Sequence, residues 1–186
     1  MPRDWRGRHS SILLTLLALS WCRVSLATVW SYFRSVPNLD FVYVPIGLGS
    51  GICGTIAARN ALGLKTKIIG VVPSGAAYAL SFNARKLVST AAVNTIADGM
   101  ACRVPNSAAV EIIIQYVDHI VTVADSEIIE AMKLYFSATH NVAEGAAAAP
   151  LAALLQEDEA VINKRVALIH SGSNIDTDLF ASVLSS

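Results

Sequence analysis

From Asp40 onward, short continuous apolar runs alternate with longer segments in which apolar and polar positions mix. The runs "FVYVPI" (41–46), "KTKIIGVVP" (65–73), "HIVTVAD" (119–125) and "RVALIH" (165–170) are rich in β-branched and aromatic residues, and each predicts a strand buried on both faces. Between them the spacing predicts helices. "SGICGTIAARNALGL" (50–64) is expected to end at Gly63, "GAAYALSFNARKLV" (75–88) follows, and "SAAVEIIIQYV" (107–117) has Ser107 as its expected N-cap. "SEIIEAMKLYFSAT" (126–139) is amphipathic, with Glu127 in its first turn and Asp125 before it. "EGAAAAPLAALLQEDEA" (144–160) is Ala-rich, with Pro150 as an expected irregularity, and "DTDLFASVL" (176–184) closes the chain. Residues 94–106 and the polar "SGSN" (171–174) read as loops.

Strands that alternate with covering helices imply βαβ units: an α/β fold with a three-layer, open, largely parallel sheet. No repeat and no low-complexity linker divides residues 42–184. The start is different in kind. Arg3, Arg6 and Arg8 precede the apolar "SILLTLLALSW" (11–21), and "SLA" ends at Ala27. That is a signal-peptide-like pattern, and its apolar run is too short for a membrane span. A buried amphipathic helix, or a segment outside the fold, fits it as well.

Composition narrows the function. Of 186 residues, 54% are hydrophobic and 15% charged, and the 14 basic and 14 acidic side chains cancel. No basic patch points to nucleic acid. Cys22, Cys53 and Cys102 form no CxxC pair and read as reduced, buried thiols. His9, His119, His140 and His170 share no ligand spacing, so no metal site is expected, and no nucleophile elbow occurs.

The candidate chemistry lies in loops that come after strands. "GLGSG" (47–51) stands between a strand and a helix start, where unpaired backbone N–H groups and the helix dipole attract anions. Its spacing is neither the dinucleotide fingerprint nor a P-loop, and by spacing alone a phosphate loop and a structural turn stay equally open. "HSGSNID" (170–176) is a second turn after a strand, and in an open parallel sheet both would face one crevice; ordinary turn chemistry also accounts for Ser171 and Asn174. Glu144 precedes the Ala-rich helix, either as a helix-start carboxylate or as a group lining a site.

In order, "VYVPIGLGSGICGTIAARNALGLKTKIIGVV", "TIADGMACRVP", "NVAEGAAAAPLAALL" and "VALIHSGSNID" resemble the threonine/serine dehydratases, pyridoxal-phosphate enzymes of fold type II (tryptophan synthase beta-like). The resemblance covers roughly residues 26–184. It implies the large domain of that fold, N-terminally truncated, with residues 1–25 unassigned or altered and 26–186 a partial cofactor-binding domain. It also implies pyridoxal 5'-phosphate as cofactor. Gly47, Leu48, Gly49, Ser50 and Gly51 then match the loop that binds the cofactor phosphate, Ser171 the partner of the pyridine nitrogen, and Glu144 a glutamate close to the cofactor. Asp98, in "TIADG", matches a position read as structural.

The sequence departs from the family in three places. Ser173 replaces a glycine of S-G-G-N, and Val72 stands where some relatives carry a glutamate that helps bind a divalent cation, so no metal is expected there. The serine-x-lysine motif that holds the cofactor and the S-x-G-N-H substrate loop are both absent; Lys65, Lys67, Lys86, Lys133 and Lys164 lie in other contexts, so no catalytic residue is assigned. The resemblance therefore implies part of a threonine/serine ammonia-lyase, inactive alone, that converts L-threonine or L-serine to a 2-oxo acid and ammonia in the complete enzyme. The alternative is a non-catalytic cofactor- or phosphate-binding subunit, or an inactive truncated product. A cytoplasmic location, an amino-acid substrate, and a homo-oligomer or a completing N-terminal domain as partner go with the first reading.

Overall fold

The computed structural model describes residues 22–186, with side chains from residue 29 onward. The apolar run 11–21, the arginines before it and His9 lie outside the described residues, as does the Cys22 side chain. The elements in order are α1 (Cys22–Ser35), β1 (Phe41–Pro45), α2 (Ser50–Ala61), β2 (Lys67–Pro73), α3 (Ala77–Ala84), α4 (Ser107–Tyr116), β3 (His119–Val123), α5 (Asp125–Thr139), α6 (Gly145–Gln156), β4 (Val166–Leu168) and α7 (Thr177–Ser185). Short 3-10 turns occupy Asp98–Met100 and Asp158–Val161.

The four strands form one sheet in the order β3-β2-β1-β4, with every pair parallel. Phe41 registers with Lys67 and with Val166, and Ile69 with His119, so all four strands end on the same side of the molecule. Alternation along the strands splits the core in two. Val42, Val44, Ile68 and Val72 pack with α1, α2 and α4 through Phe33, Ile52, Ile56 and Ile113. Tyr43, Ile69, Val71, Val121 and Val123 pack with α5 and α6 through Ile128, Met132 and the alanines of α6, and Val183 of α7 joins them. The result is the three-layer parallel architecture the strand–helix alternation predicts.

The Ala-rich segment is the central helix of the second layer. Ala146–Ala149, Ala152 and Ala153 are buried, and α6 touches β1, β2 and β3. Methyl side chains let its backbone come close to three strands at once, which longer ones would prevent. The expected irregularity at Pro150 does not interrupt it: the helix runs unbroken from Gly145 to Gln156.

Several predicted boundaries move. Asn106, not Ser107, caps α4, because its side chain accepts the Ala109 N–H at 3.1 Å. The helix expected over 75–88 is shorter, stopped where Arg85 turns left-handed at φ 55. The segment before Asp40, where a buried amphipathic helix is one of the expectations, contains α1, and Ala27 of the "SLA" triplet lies inside that helix. Val29 and Phe33 of α1 are buried in the first core.

Candidate functional site

The site begins with the loop after β1. Gly49 is the N-cap of α2 and adopts φ 98, a left-handed conformation that favours glycine. Ser50, Gly51 and Ile52 open the helix, so their N–H groups have no carbonyl one turn earlier to bond, and no side chain caps them. The first intrahelical bond is donated by the Cys53 N–H to the Gly49 carbonyl at 3.0 Å. A Cβ added at Gly51 would meet nothing within 4 Å. The helix start therefore presents three donors beside open space.

Glycine is required at 47 for a different reason. A Cβ there would run into the Gly99 carbonyl oxygen, so "TIADG" lies directly against the loop. That segment is fastened from β3's side. Thr95 Oγ1 donates to Asp125 Oδ1 at 2.6 Å, the Ile96 N–H donates to Asp125 Oδ2 at 3.1 Å, and the Ala97 N–H donates to Thr95 Oγ1 at 3.1 Å. It then meets the start of α6, where a Cβ at Gly145 would lie 2.9 Å from Ala97 Cα. Asp98 itself is exposed, so the fastening falls to Thr95 and Asp125.

Glu144 precedes α6, and its N–H donates to the Gly172 carbonyl at 3.2 Å. Its Oε1 would lie 2.7 Å from a Cβ at Gly172, which places the carboxylate against the turn after β4. Ser171, next to Gly172, is exposed there. The Ile169 N–H donates to the Tyr43 carbonyl, so this turn leaves the sheet beside the strand that carries the glycine loop. A cleft of about 400 Å³ runs between these pieces, lined by Asp98, Gly99, Glu144, Gly145, Asn174 and Asp176, among others. Glu144 thus lines this cleft while also standing at the start of α6. Asn174 lines the cleft too, while Ser173 stays exposed outside it. The glycine loop joins the cleft through the Gly47–Gly99 contact.

The sequence motifs left out Tyr78. It is buried under the loop, where its hydroxyl donates to the Leu48 carbonyl at 2.8 Å and accepts the Asn106 N–H at 3.3 Å. Burial pushes its ionisation well above the ordinary phenol range. A tyrosine inside an apolar helix segment carries no signal of this role. Asn106 could have been found, as an Asn before a periodic run.

The five lysines lie elsewhere. Lys65, Lys67 and Lys164 sit where strands begin, at the opposite end of the sheet, with Lys67 paired to Asp118 at 3.1 Å. Lys133 bonds Glu130 and the Ser186 carbonyl, and Lys86 lies just after α3. None of the five lines the cleft. Val72 is fully buried in the first core. Among the described residues no cluster of three His, Cys, Asp or Glu side chains could hold a metal ion, and no helix is long and apolar enough to cross a membrane.

A parallel three-layer sheet with a glycine loop at the strand ends defines an open α/β architecture suited to holding a ligand at those ends, and comparison with known proteins identifies the family. The chain belongs to the family described as pyridoxal-phosphate dependent enzyme, which matches residues 25–172. It is 36% identical over 146 residues to the beta-hydroxyaspartate dehydratase of Paracoccus denitrificans, covering 78% of this chain and 46% of that protein. It is 32% identical over 155 residues to the L-threonine ammonia-lyase of Thermotoga maritima, covering 81% of this chain and 38% of that protein. Among solved structures, the processed threonine deaminase isoform 2 of Solanum lycopersicum superposes with a TM-score of 0.81 at 27% identity, over 87% of this chain and 48% of that one. The fold is that of fold type II, and the resemblance to threonine dehydratases drawn from the motifs is borne out. The family's cofactor is the one the motifs implied. The chain spans about half the length, or less, of these relatives.

Proposed function

We propose that this chain is the cofactor-holding part of a pyridoxal-phosphate-dependent ammonia-lyase for L-threonine, L-serine or a related β-hydroxy amino acid. The observation that carries the reading is the loop at 47–51: unpaired N–H groups at the start of α2, facing open space at Gly51 and joined through Gly99 to the cleft that Glu144 lines. These residues fit a phosphorylated cofactor, because a phosphate needs N–H donors that no side chain blocks. The backbone of Gly47, Leu48, Gly49, Ser50 and Gly51 would hold the phosphate. Glu144 would stand beside the cofactor, and Ser171 would offer the pyridine nitrogen a neutral hydroxyl in place of a charge. When bound, pyridoxal phosphate supplies an electron sink for the substrate α-carbon.

What this chain does not offer at the cleft is a lysine to act as base. The relatives named as dehydratases and ammonia-lyases support the substrate class, and serine racemases among the other matches mark its breadth. Residues 26–186 act in this reading as a partial cofactor-binding domain, completed by an N-terminal domain or within a homo-oligomer. A cytoplasmic setting goes with it, where thiols such as the buried Cys102 stay reduced. A second reading, a non-catalytic cofactor-binding subunit, is favoured by the absence of any lysine at the cleft.

Titration with pyridoxal phosphate and with pyridoxal, monitored by cofactor absorbance, tests the shared claim. The phosphorylated form is expected to bind at least about tenfold more tightly, since several charge-assisted hydrogen bonds distinguish the two. Equal affinities would overturn the phosphate loop. Adding the N-terminal half of a related dehydratase separates the two readings: formation of 2-oxobutyrate from threonine supports the lyase, and cofactor binding without turnover supports the non-catalytic subunit.

A further inference from the structure

We propose that Tyr78 is the positioning residue that sets the anion-facing shape of the glycine loop; the claim about cofactor affinity rests on the function proposed above, and the claim about loop shape does not. One peptide plane is decisive. The Leu48 carbonyl and the Gly49 N–H belong to the same trans peptide, in which the two point in opposite directions, and the described chain contains no cis bonds. Tyr78 sits below the loop on α3 and draws the Leu48 carbonyl inward by donating its only proton to it at 2.8 Å. The Gly49 N–H is thereby turned outward, to the side where Ser50, Gly51 and Ile52 present theirs. With the carbonyl turned outward instead, its lone pairs would face an incoming phosphate and repel it.

Two further contacts make the hydroxyl, and not merely the ring, the determinant. Its oxygen accepts the Asn106 N–H at 3.3 Å, which fixes the direction of the proton toward Leu48. It would also lie 3.0 Å from a Cβ at Gly49, so it occupies the room a side chain there would need and confines the loop to its left-handed turn. A phenylalanine would fill the same volume against the core. It would leave the Leu48 carbonyl and the Asn106 N–H without this partner, and the 48–49 peptide free to turn over.

The test is Tyr78→Phe in the full chain, read in two ways. Hydrogen exchange of the Asn106 and Cys53 amides is expected to accelerate about tenfold, while the β2 amides stay unchanged. Affinity for pyridoxal phosphate is expected to fall about tenfold, with affinity for unphosphorylated pyridoxal unchanged, because only the phosphate reads the loop. A purely structural tyrosine would weaken both ligands equally or neither. If the unaltered chain fails to prefer the phosphorylated form, the cofactor reading falls, and exchange alone decides the role of Tyr78. Unchanged exchange at Asn106 and Cys53 overturns the proposal, as does an unchanged preference for phosphate in a chain that has one. Should Tyr78→Phe fail to fold, Tyr78→Met takes its place with the same readouts; if neither folds, the phenol is a core strut and the proposal is wrong.

Discussion

Gly49 and Gly51 look interchangeable in the sequence, both simply members of "GLGSG", and are opposite in the structure. Gly49 is left-handed, and a Cβ there would come within 2.7 Å of the Ala109 Cβ. Gly51 is helical, with open space where its side chain would be. Gly49→Ala is therefore expected to lower unfolding free energy by about 1–3 kcal/mol, from backbone strain and the clash together. Gly51→Ala is expected to leave stability level, or raise it by roughly 0.5 kcal/mol, as alanine favours a helix. Its methyl group instead obstructs the approach of a phosphate, so affinity for pyridoxal phosphate falls while the fold is intact. Urea unfolding alongside cofactor titration checks both; a Gly51→Ala chain that binds as before would remove Gly51 from the site. Residue types and order singled out the loop, Glu144 and Ser171 as candidates, and the fold sets Gly47 against Gly99 and Glu144 along the cleft. Tyr78 and Asp125 were not among those candidates, because their roles depend on which backbone groups the fold carries to them from some 30 residues away.

The four strands and the helices between them were readable because each must bury a continuous apolar stretch, and that leaves a pattern in the chain. The first helix was less legible, since its "SLA" triplet also fits a signal-peptide cleavage pattern and a buried amphipathic helix was only one of the readings open there. Charge couples the elements in a way no periodicity announces. Tyr43 of β1 donates to Glu157 Oε2 at 2.7 Å, just beyond α6, while His119 of β3 bonds Glu157 Oε1 at 2.7 Å and Asp118 Oδ2 at 2.9 Å. Burial alone would raise the Asp118 carboxyl, but the hydrogen bonds from His119 and Lys67 outweigh it and hold the group below its ordinary value of 3.8. A carboxyl whose folded value is depressed contributes stability above the unfolded value and loses it as pH falls through the folded one. Asp118→Asn should therefore melt lower than the unaltered chain at neutral pH, with the gap closing as pH drops through and below 3.8. Asp118 is a third exposed, so the gap is small, that of a surface pair. Thermal melts across that range decide the matter, and a gap that is constant with pH would show that the ion pair is not its source.

As a whole molecule, the chain in the proposed reading would cradle the cofactor phosphate while none of its five lysines lies at the cleft to abstract a proton. We expect no threonine or serine deamination above background from the chain alone, as a missing positioned base typically costs 10²–10⁴-fold, roughly, before orientation is counted. Borohydride reduction in the presence of pyridoxal phosphate, then mass spectrometry, should find no stoichiometric adduct on any of the five lysines; such an adduct, or sustained 2-oxo acid formation, would refute this. The surface bears on solubility. Leu48 is 64% exposed at the glycine loop and Val104 67% exposed, on a chain with few charges to offset them. Exposed apolar surface of this kind favours association, and the isolated chain should self-associate at micromolar concentration, with the N-terminal half of a related dehydratase improving its solubility. Sedimentation tests this, and a clean monomer that binds no hydrophobic dye would count against it.

The close fit of Gly47 to Gly99, and of Ala97 to Gly145, also orders events in time. Each contact joins pieces separated by roughly fifty residues, so each closes a long loop, and closures of that length come late because their entropy must be met before the contact rewards it. Strand–helix neighbours such as β1 and α2 can form without them; the cradle cannot be finished until both are made. A refolding chain should accordingly recover its helical far-ultraviolet signal first and its ability to bind pyridoxal phosphate in a slower, separate phase. If both returned with one rate constant in stopped-flow mixing, loop and core would be a single cooperative unit.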